Sequence, residues 1–249
     1  MLKRFALLFC SRTFAAALLL LGWGALRAES LTIGFATGFP PYQWSDATGP
    51  KGLDIDLARL VFAEAGLANT LRQEKWDDIV GHLRFDEEIQ VVGGMEITPE
   101  RLASFAFSTP LYARVNRVFV RADDDGIRQL GDLAGKVVTG DRNSFIEGAL
   151  AAAGLKPLVR IIQTPTKAEA MKRLKAGAVR AALMPEHVGL FLARQEKLAV
   201  RSIDVGDPGT PVAFAVRKGR EGTIATLDAA ILSLTKKGRI QETLAAWGH

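Results

Sequence analysis

From residue 31 onward the chain alternates short apolar runs with stretches of helical periodicity. Leu31–Ala36 and Ile89–Gly93 read as buried strands. Between them Leu53, Leu57, Leu60 and Val61 recur at helical spacing, with Asp54 and Asp56 in the first turn and Gly66 as a stop, so a helix is predicted over Leu53–Ala65. A second is predicted over Asp77–Phe85. The later part repeats the pattern with strand Lys136–Thr139, helix Phe145–Ala153 ended by Gly154, and strand Leu158–Gln163. A helix opened by Thr166 and Glu169 in capping-box spacing and closed by Gly177 follows, then strand Ala181–Met184 and a helix after Pro185. Such alternation predicts an α/β protein with mostly parallel sheets.

Two extended stretches, Asn116–Arg121 and Val212–Arg217, have no helical pattern beside them and frame the second strand–helix series. Helices predicted over Gly222–Lys237 and Ile240–Trp247 follow the second stretch and need a surface to cover. The simplest arrangement sends the chain to a second lobe near Arg114 and brings it back near Pro211. The expected division is 29–114 with 211–249 as a discontinuous first lobe and 115–210 as the second. Two lobes joined by two strands make a hinged cleft.

Residues 1–28 have a different character. Lys3, Arg4 and Arg12 form a basic start, the run from Phe14 to Leu26 is apolar, and Ala28 precedes the polar pair Glu29 and Ser30, which reads as a cleaved secretory signal peptide. The alternative is a retained anchor, but the apolar run has 13 residues against the roughly 20 needed to cross a bilayer. Cys10 has no small residue before it, so it does not read as a lipidation site. Export to a periplasm is the expectation.

Removing the segment changes the charge picture. The whole chain carries 32 Lys and Arg against 27 Asp and Glu; without Lys3, Arg4, Arg12 and Arg27 the balance is 28 against 27. No basic footprint for nucleic acid survives. With no Cys after residue 10, no disulfide supports the fold.

Several chemistries are absent from the pattern. His82, His187 and His249 are widely separated in sequence, so no metal site is predicted. There is no phosphate-binding Gly-rich loop, no Gly-x-Gly-x-x-Gly and no Gly-x-Ser-x-Gly elbow, and no cofactor is expected. Carboxylates and Lys or Arg must carry any chemistry.

Three stretches in order, Gly52-Leu53-Asp54-Ile55-Asp56-Leu57-Ala58, Gly93-Gly94-Met95-Glu96-Ile97-Thr98-Pro99-Glu100-Arg101 and Phe107-Ser108-Thr109-Pro110-Leu111-Tyr112, resemble the signatures of the bacterial family 3 solute-binding proteins. The segments His82–Phe85 and Met95–Arg101 are most similar to the arginine-binding branch. The resemblance implies a two-lobed periplasmic-binding-protein fold of type II. It also implies a non-enzymatic receptor that captures a small carboxylate-bearing ligand, an amino acid or derivative, as a monomer and delivers it to the membrane permease of an ABC transporter.

The same resemblance makes Arg101 the carboxylate clamp. Independently, Thr98 can cap a helix beginning at Pro99, which puts Arg101 in the opening turn, and a guanidinium can grip a carboxylate through two parallel hydrogen bonds. Pairing of Arg101 with Glu100 or Glu96 is the plainer alternative. Phe39 and Trp76 match positions flanking the ligand side chain, Gly94 lies in the second signature, and Ser144 matches the capping residue that helps hold the ligand carboxylate from the second lobe.

Departures from the pattern bear on the ligand. Where amino-acid-binding members place an Asp for the α-ammonium, this chain has Pro185, with Glu186 one residue later. Glu96 stands where many relatives have Ser and the arginine-binding branch has Asp; it can hold a cationic ligand group or pair with Arg101. Two other functions stay open: a dehydratase of the cyclohexadienyl type using Glu186 or Glu96 as general acid, and an accessory module binding a protein partner.

Overall fold

The computed structural model describes residues 30–85, 88–140 and 145–249. Strand β1 (Leu31–Ala36) leads into the hairpin β2 (Trp44–Asp46) and β3 (Gly49–Lys51). Then come α1 (Leu53–Glu64), β4 (Asn69–Glu74), α2 (Trp76–Phe85), β5 (Val91–Glu96), the single turn α3 (Pro99–Leu102), β6 (Phe105–Phe107) and β7 (Tyr112–Arg114). The middle of the chain forms β8 (Asn116–Arg121), β9 (Val137–Thr139), α4 (Phe145–Ala152), β10 (Arg160–Ile162), α5 (Lys167–Lys175), β11 (Ala181–Pro185), α6 (Glu186–Gln195) and β12 (Val200–Ile203). Last are β13 (Thr210–Arg217), α7 (Glu221–Lys236) and α8 (Arg239–Ala246).

Two main sheets organise these elements into a two-lobed α/β fold. The first runs β4-β1-β5-β13-β6, with β7 also paired to β13; the second runs β10-β9-β11-β8-β12. The expectation of mostly parallel sheets needs correction, because both sheets are mixed, with two parallel pairings against three antiparallel in the first and two against two in the second. Strand β1 is parallel to β4 and β5, and β9 to β10 and β11, whereas β13 runs against β5, β6 and β7, and β8 against β11 and β12. The antiparallel members β8 and β13 are the strands that enter a sheet from the other lobe instead of returning through a helix.

The two passages between sheets lie side by side. Val115 alone separates β7 from β8, and Asp204–Gly209 joins β12 to β13. The Asp207 carboxylate accepts the backbone N–H of Asn116 at 2.7 Å and its side-chain amide at 2.9 Å, which ties one passage to the other.

Apolar periodicity becomes packing as the spacing implies. Leu53, Ile55, Leu57, Val61 and Phe62 of α1 are fully buried, and Phe62 meets Phe214 of β13 edge-on at 5.8 Å. Burying each such side chain contributes about 1.5–3 kcal/mol before conformational entropy is counted. In the second sheet Val118, Val120, Val138, Leu150 and Leu183 form the corresponding core. Helix ends follow the predicted capping: the Thr98 hydroxyl accepts the Arg101 N–H, and the Thr166 hydroxyl accepts the Glu169 N–H. Among the described residues no helix is long and apolar enough to cross a membrane. The expected signal segment, 1–28, lies outside the described residues.

Candidate ligand-binding site

The site grows from a polar network under the N-terminus of α1. Gln43, fully buried, accepts the Ala36 N–H at 2.6 Å through Oε1 and donates through Nε2 to Asp54 Oδ2 at 2.6 Å and to the Gly93 carbonyl at 3.2 Å. One amide thus joins the end of β1, the start of α1 and the middle of β5. Buried polar groups of this kind persist only when they are satisfied. Gly94 has φ +68°, and a Cβ added there would lie 2.1 Å from Asp54 Oδ2 and 2.4 Å from Gln43 Nε2. Only glycine lets the strand pass this close to the network.

Asp54 is the centre of that network. Its Oδ2 takes Arg114 Nη2 at 2.6 Å, and its Oδ1 accepts the Tyr112 hydroxyl at 2.5 Å. The Arg114 guanidinium also donates to the Gly94 carbonyl at 3.0 Å and to the Tyr112 oxygen at 2.7 Å. Burial alone would push the Arg114 pKa down, but Tyr112, Asp54, Glu96 and Tyr42 around it push it up on balance. Burial likewise pushes the Tyr112 and Tyr42 phenols up, so both act as neutral hydroxyls.

Aromatic rings cover this buried cation. Arg114 lies 4.3 Å from the Tyr42 ring, 5.1 Å from Phe39 and 5.5 Å from Tyr112, while Tyr42 is stacked between Phe39 and Tyr112 at 5.6 and 5.7 Å. The ring faces, electron-rich, suit a guanidinium.

A second guanidinium stands nearby. Arg101 stacks over Trp76 at 5.2 Å, and its Nη1 donates to the Glu96 carbonyl at 2.9 Å. Among the described residues Nη1 is the one side-chain nitrogen of Arg101 with a hydrogen-bond partner, so the rest of the fork is uncommitted. Burial pushes its pKa down and the Glu96 carboxylate opposes that shift. The short α3 adds little macrodipole, so the attraction for an anion rests on the guanidinium itself rather than on the helix start.

Glu96 lies between the two cations. One oxygen is 3.8 Å from Arg101 and the other 3.8 Å from Arg114, both too long for hydrogen bonds. It therefore balances charge without blocking either guanidinium.

The sequence-derived candidates fall into three groups. Phe39, Trp76, Gly94, Glu96 and Arg101 lie along one continuous set of contacts around Arg114 and Arg101. Trp76 is the first residue of α2, one position earlier than the predicted start. Glu186, the first residue of α6, is in the second lobe, 3.6 Å from Arg117 and bonded through its N–H to the Val115 carbonyl beside the passage between lobes. Ser144 lies outside the described residues. Pro185 ends β11 opposite Asn116 and opens α6 without a side-chain cap. Among the described residues no cluster of three metal-capable side chains is found.

Sequence reasoning missed Arg114, Asp54, Gln43 and Tyr112 as the frame of the site. It also missed the contact of His187 with His249, whose rings stack 3.8 Å apart.

Residues 31–249 match the bacterial extracellular solute-binding proteins, family 3, and the chain belongs to that family. Over 238 residues it is 27% identical to ABC transporter arginine-binding protein 1 of Escherichia coli (strain K12), covering 94% of this chain and 96% of that protein. A solved ancestral arginine-binding protein bound to arginine superposes with a TM-score of 0.79 at 28% identity, over 88% of this chain and 98% of that one. An ancestral amino-acid-binding protein described as a precursor of cyclohexadienyl dehydratase gives 0.77 at 26% identity, over 88% and 96%. The chain is therefore a solute-binding protein with the two-lobed fold of that family.

Proposed function

We propose that this chain is a periplasmic receptor that captures a small carboxylate-bearing ligand, an amino acid or derivative, and presents it to the permease of an ABC transporter as a monomer. The observation that carries the reading is Arg101. Its guanidinium is partly desolvated and stacked on Trp76, with most of its donors uncommitted. A carboxylate gains most from such a group, because two parallel charge-assisted hydrogen bonds form in a site already stripped of part of its water.

In this reading Phe39 and Trp76 wall the ligand's body, Gly94 gives the backbone close approach, and Ser144 and Glu186 contribute from the second lobe. Glu96 receives a cationic ligand group, as does Glu186, since Pro185 offers neither a side-chain acceptor nor an N–H. Closure of the lobes about Val115 and the Asp204–Gly209 passage would exclude water from these charges. The arginine- and amino-acid-binding relatives support the ligand class.

A thermal-shift screen against amino acids, amines, opines and organic acids tests the proposal, because a specific ligand stabilises by RT ln(1 + [L]/Kd). At least one carboxylate-bearing compound is expected to raise the melting temperature, and Arg101→Ala is expected to remove that shift. A screen in which only compounds lacking a carboxylate stabilise the protein would reject it. Turnover of prephenate or arogenate by the purified protein would assign it to the dehydratases instead.

A further inference from the structure

We propose that the segment Trp247–His249 is a proton-sensitive latch, tying the first lobe to the second through the stacked imidazoles of His249 and His187. The segment follows α8, which packs on α1 and α7 of the first lobe. Trp247 anchors it there by donating Nε1–H to Asp56 at 3.1 Å and meeting the Trp44 ring edge-on at 5.6 Å. His187 is in the first turn of α6 and so belongs to the second lobe. The two imidazoles lie 3.8 Å apart at an interplanar angle of 20°. A second contact reinforces the crossing, since Trp44 also meets Phe191 of α6 at 5.6 Å.

The hydrogen-bond inventory limits how many protons the latch can hold. His187 Nε2 is 3.0 Å from the Gly248 carbonyl, which only accepts, so that nitrogen carries a hydrogen. In a neutral ring His187 Nδ1 is then an acceptor. The Tyr42 hydroxyl stands 3.4 Å from His187 Nδ1 and 3.1 Å from His249 Nε2. Tyr42 has one proton, which it gives to one ring while accepting from the other. That pattern closes with both rings sharing at most one added proton. With both rings charged, both donate to Tyr42, the phenol proton has no acceptor, and two imidazoliums face each other.

The neighbouring groups reinforce the limit. Tyr112 meets His249 edge-on at 5.1 Å and Arg114 under Tyr42 adds a fixed positive charge, while Asp54, Glu96 and Glu186 act on Tyr42 and Asp56 holds Trp247. Burial first, then His187 and Arg114, push the His249 pKa down to about 4. Burial and the Arg114 charge oppose even the one proton that the hydrogen bonds accommodate, so separation of the lobes takes up a proton. The latch holds above the ordinary histidine value and weakens as pH falls from there toward about 4.

Pulsed electron resonance on spin labels at Ala63→Cys in α1 and Lys172→Cys in α5, in protein carrying Cys10→Ser, reads the distance between lobes directly. Moving from about pH 7.5 to about pH 5 is expected to raise the separated population on the order of tenfold, allowing for the half-exposed position of His249. The His187→Gln plus His249→Gln variant is expected to give one distribution at both pH values. If that variant folds poorly, His249→Asn alone keeps a partner for Tyr42 and must shrink the pH response. A parent distribution unmoved by pH, or one that moves equally in the variants, overturns the proposal.

Discussion

Arg114 and Asp54 form a buried ion pair, 2.6 Å apart, between the strand that leaves the first lobe and the opening turn of α1. The pair lies directly beneath the aromatic group that carries Phe39. It forms a fixed base beneath the candidate site, where the chain passes from one sheet to the other. Removing one partner strands the other charge away from water, which typically costs about 3–5 kcal/mol. Arg114→Met and Asp54→Asn are each expected to lose stability of that order in urea denaturation, measured without ligand.

Arg101→Ala should behave in the opposite way. The side chain bonds one carbonyl and stacks on one ring, so the fold loses little, whereas in the proposed binding mode a ligand carboxylate loses its main partner. Truncating one side of a desolvated charge pair costs about 2–5 kcal/mol of binding, a weakening of thirtyfold or more. Calorimetry with a compound found in the thermal-shift screen should show this, with the denaturation midpoint of the free protein nearly unchanged.

Glu96→Gln keeps the shape and removes the charge between the guanidiniums. Affinity for ligands with a cationic group should fall at least tenfold, while affinity for simple carboxylates should hold or rise, because the positive field of Arg101 and Arg114 is no longer offset. Competition binding with an arginine-like and a neutral-side-chain compound separates the two effects.

Gly94→Ala is expected to be the most damaging of the small substitutions. The methyl group would strike Asp54 and Gln43, and φ +68° is itself unfavourable for alanine. A loss of at least about 3 kcal/mol is expected, with the soluble yield falling accordingly.

Much of the architecture was legible because it rests on local signals. The apolar spacing of Leu53, Leu57 and Val61, the caps at Thr98 and Thr166, and the lone extended stretches that became β8 and β13 all express themselves within a few residues. Strands β2, β3, β4, β6, β7 and β12 did not, since none carries the consecutive β-branched residues that marked β5, β9 and β10. Of the candidate site, Arg101, Glu96, Gly94, Phe39 and Trp76 were legible as residues that the fold brings into one set of contacts. Asp54 and Asp56 looked alike as acids in a first helical turn, yet the first is buried in the network and the second is half-exposed beside Arg59 and Trp247. What separates them is the arrival of Arg114 and Gln43 from distant segments, and no local pattern encodes that meeting. The same holds for His187 and His249, far apart in sequence and in ring contact in space.

The tie between Asn116 and Asp207 bears on how the protein can move. One carboxylate oxygen takes both donors of Asn116, so sliding one connecting pass lengthwise along the other stretches both bonds together. Bending the two passes in concert stretches neither. The clasp therefore opposes slip of one pass along the other and leaves the pair free to bow together, much as a rivet does between two leaves of a spring.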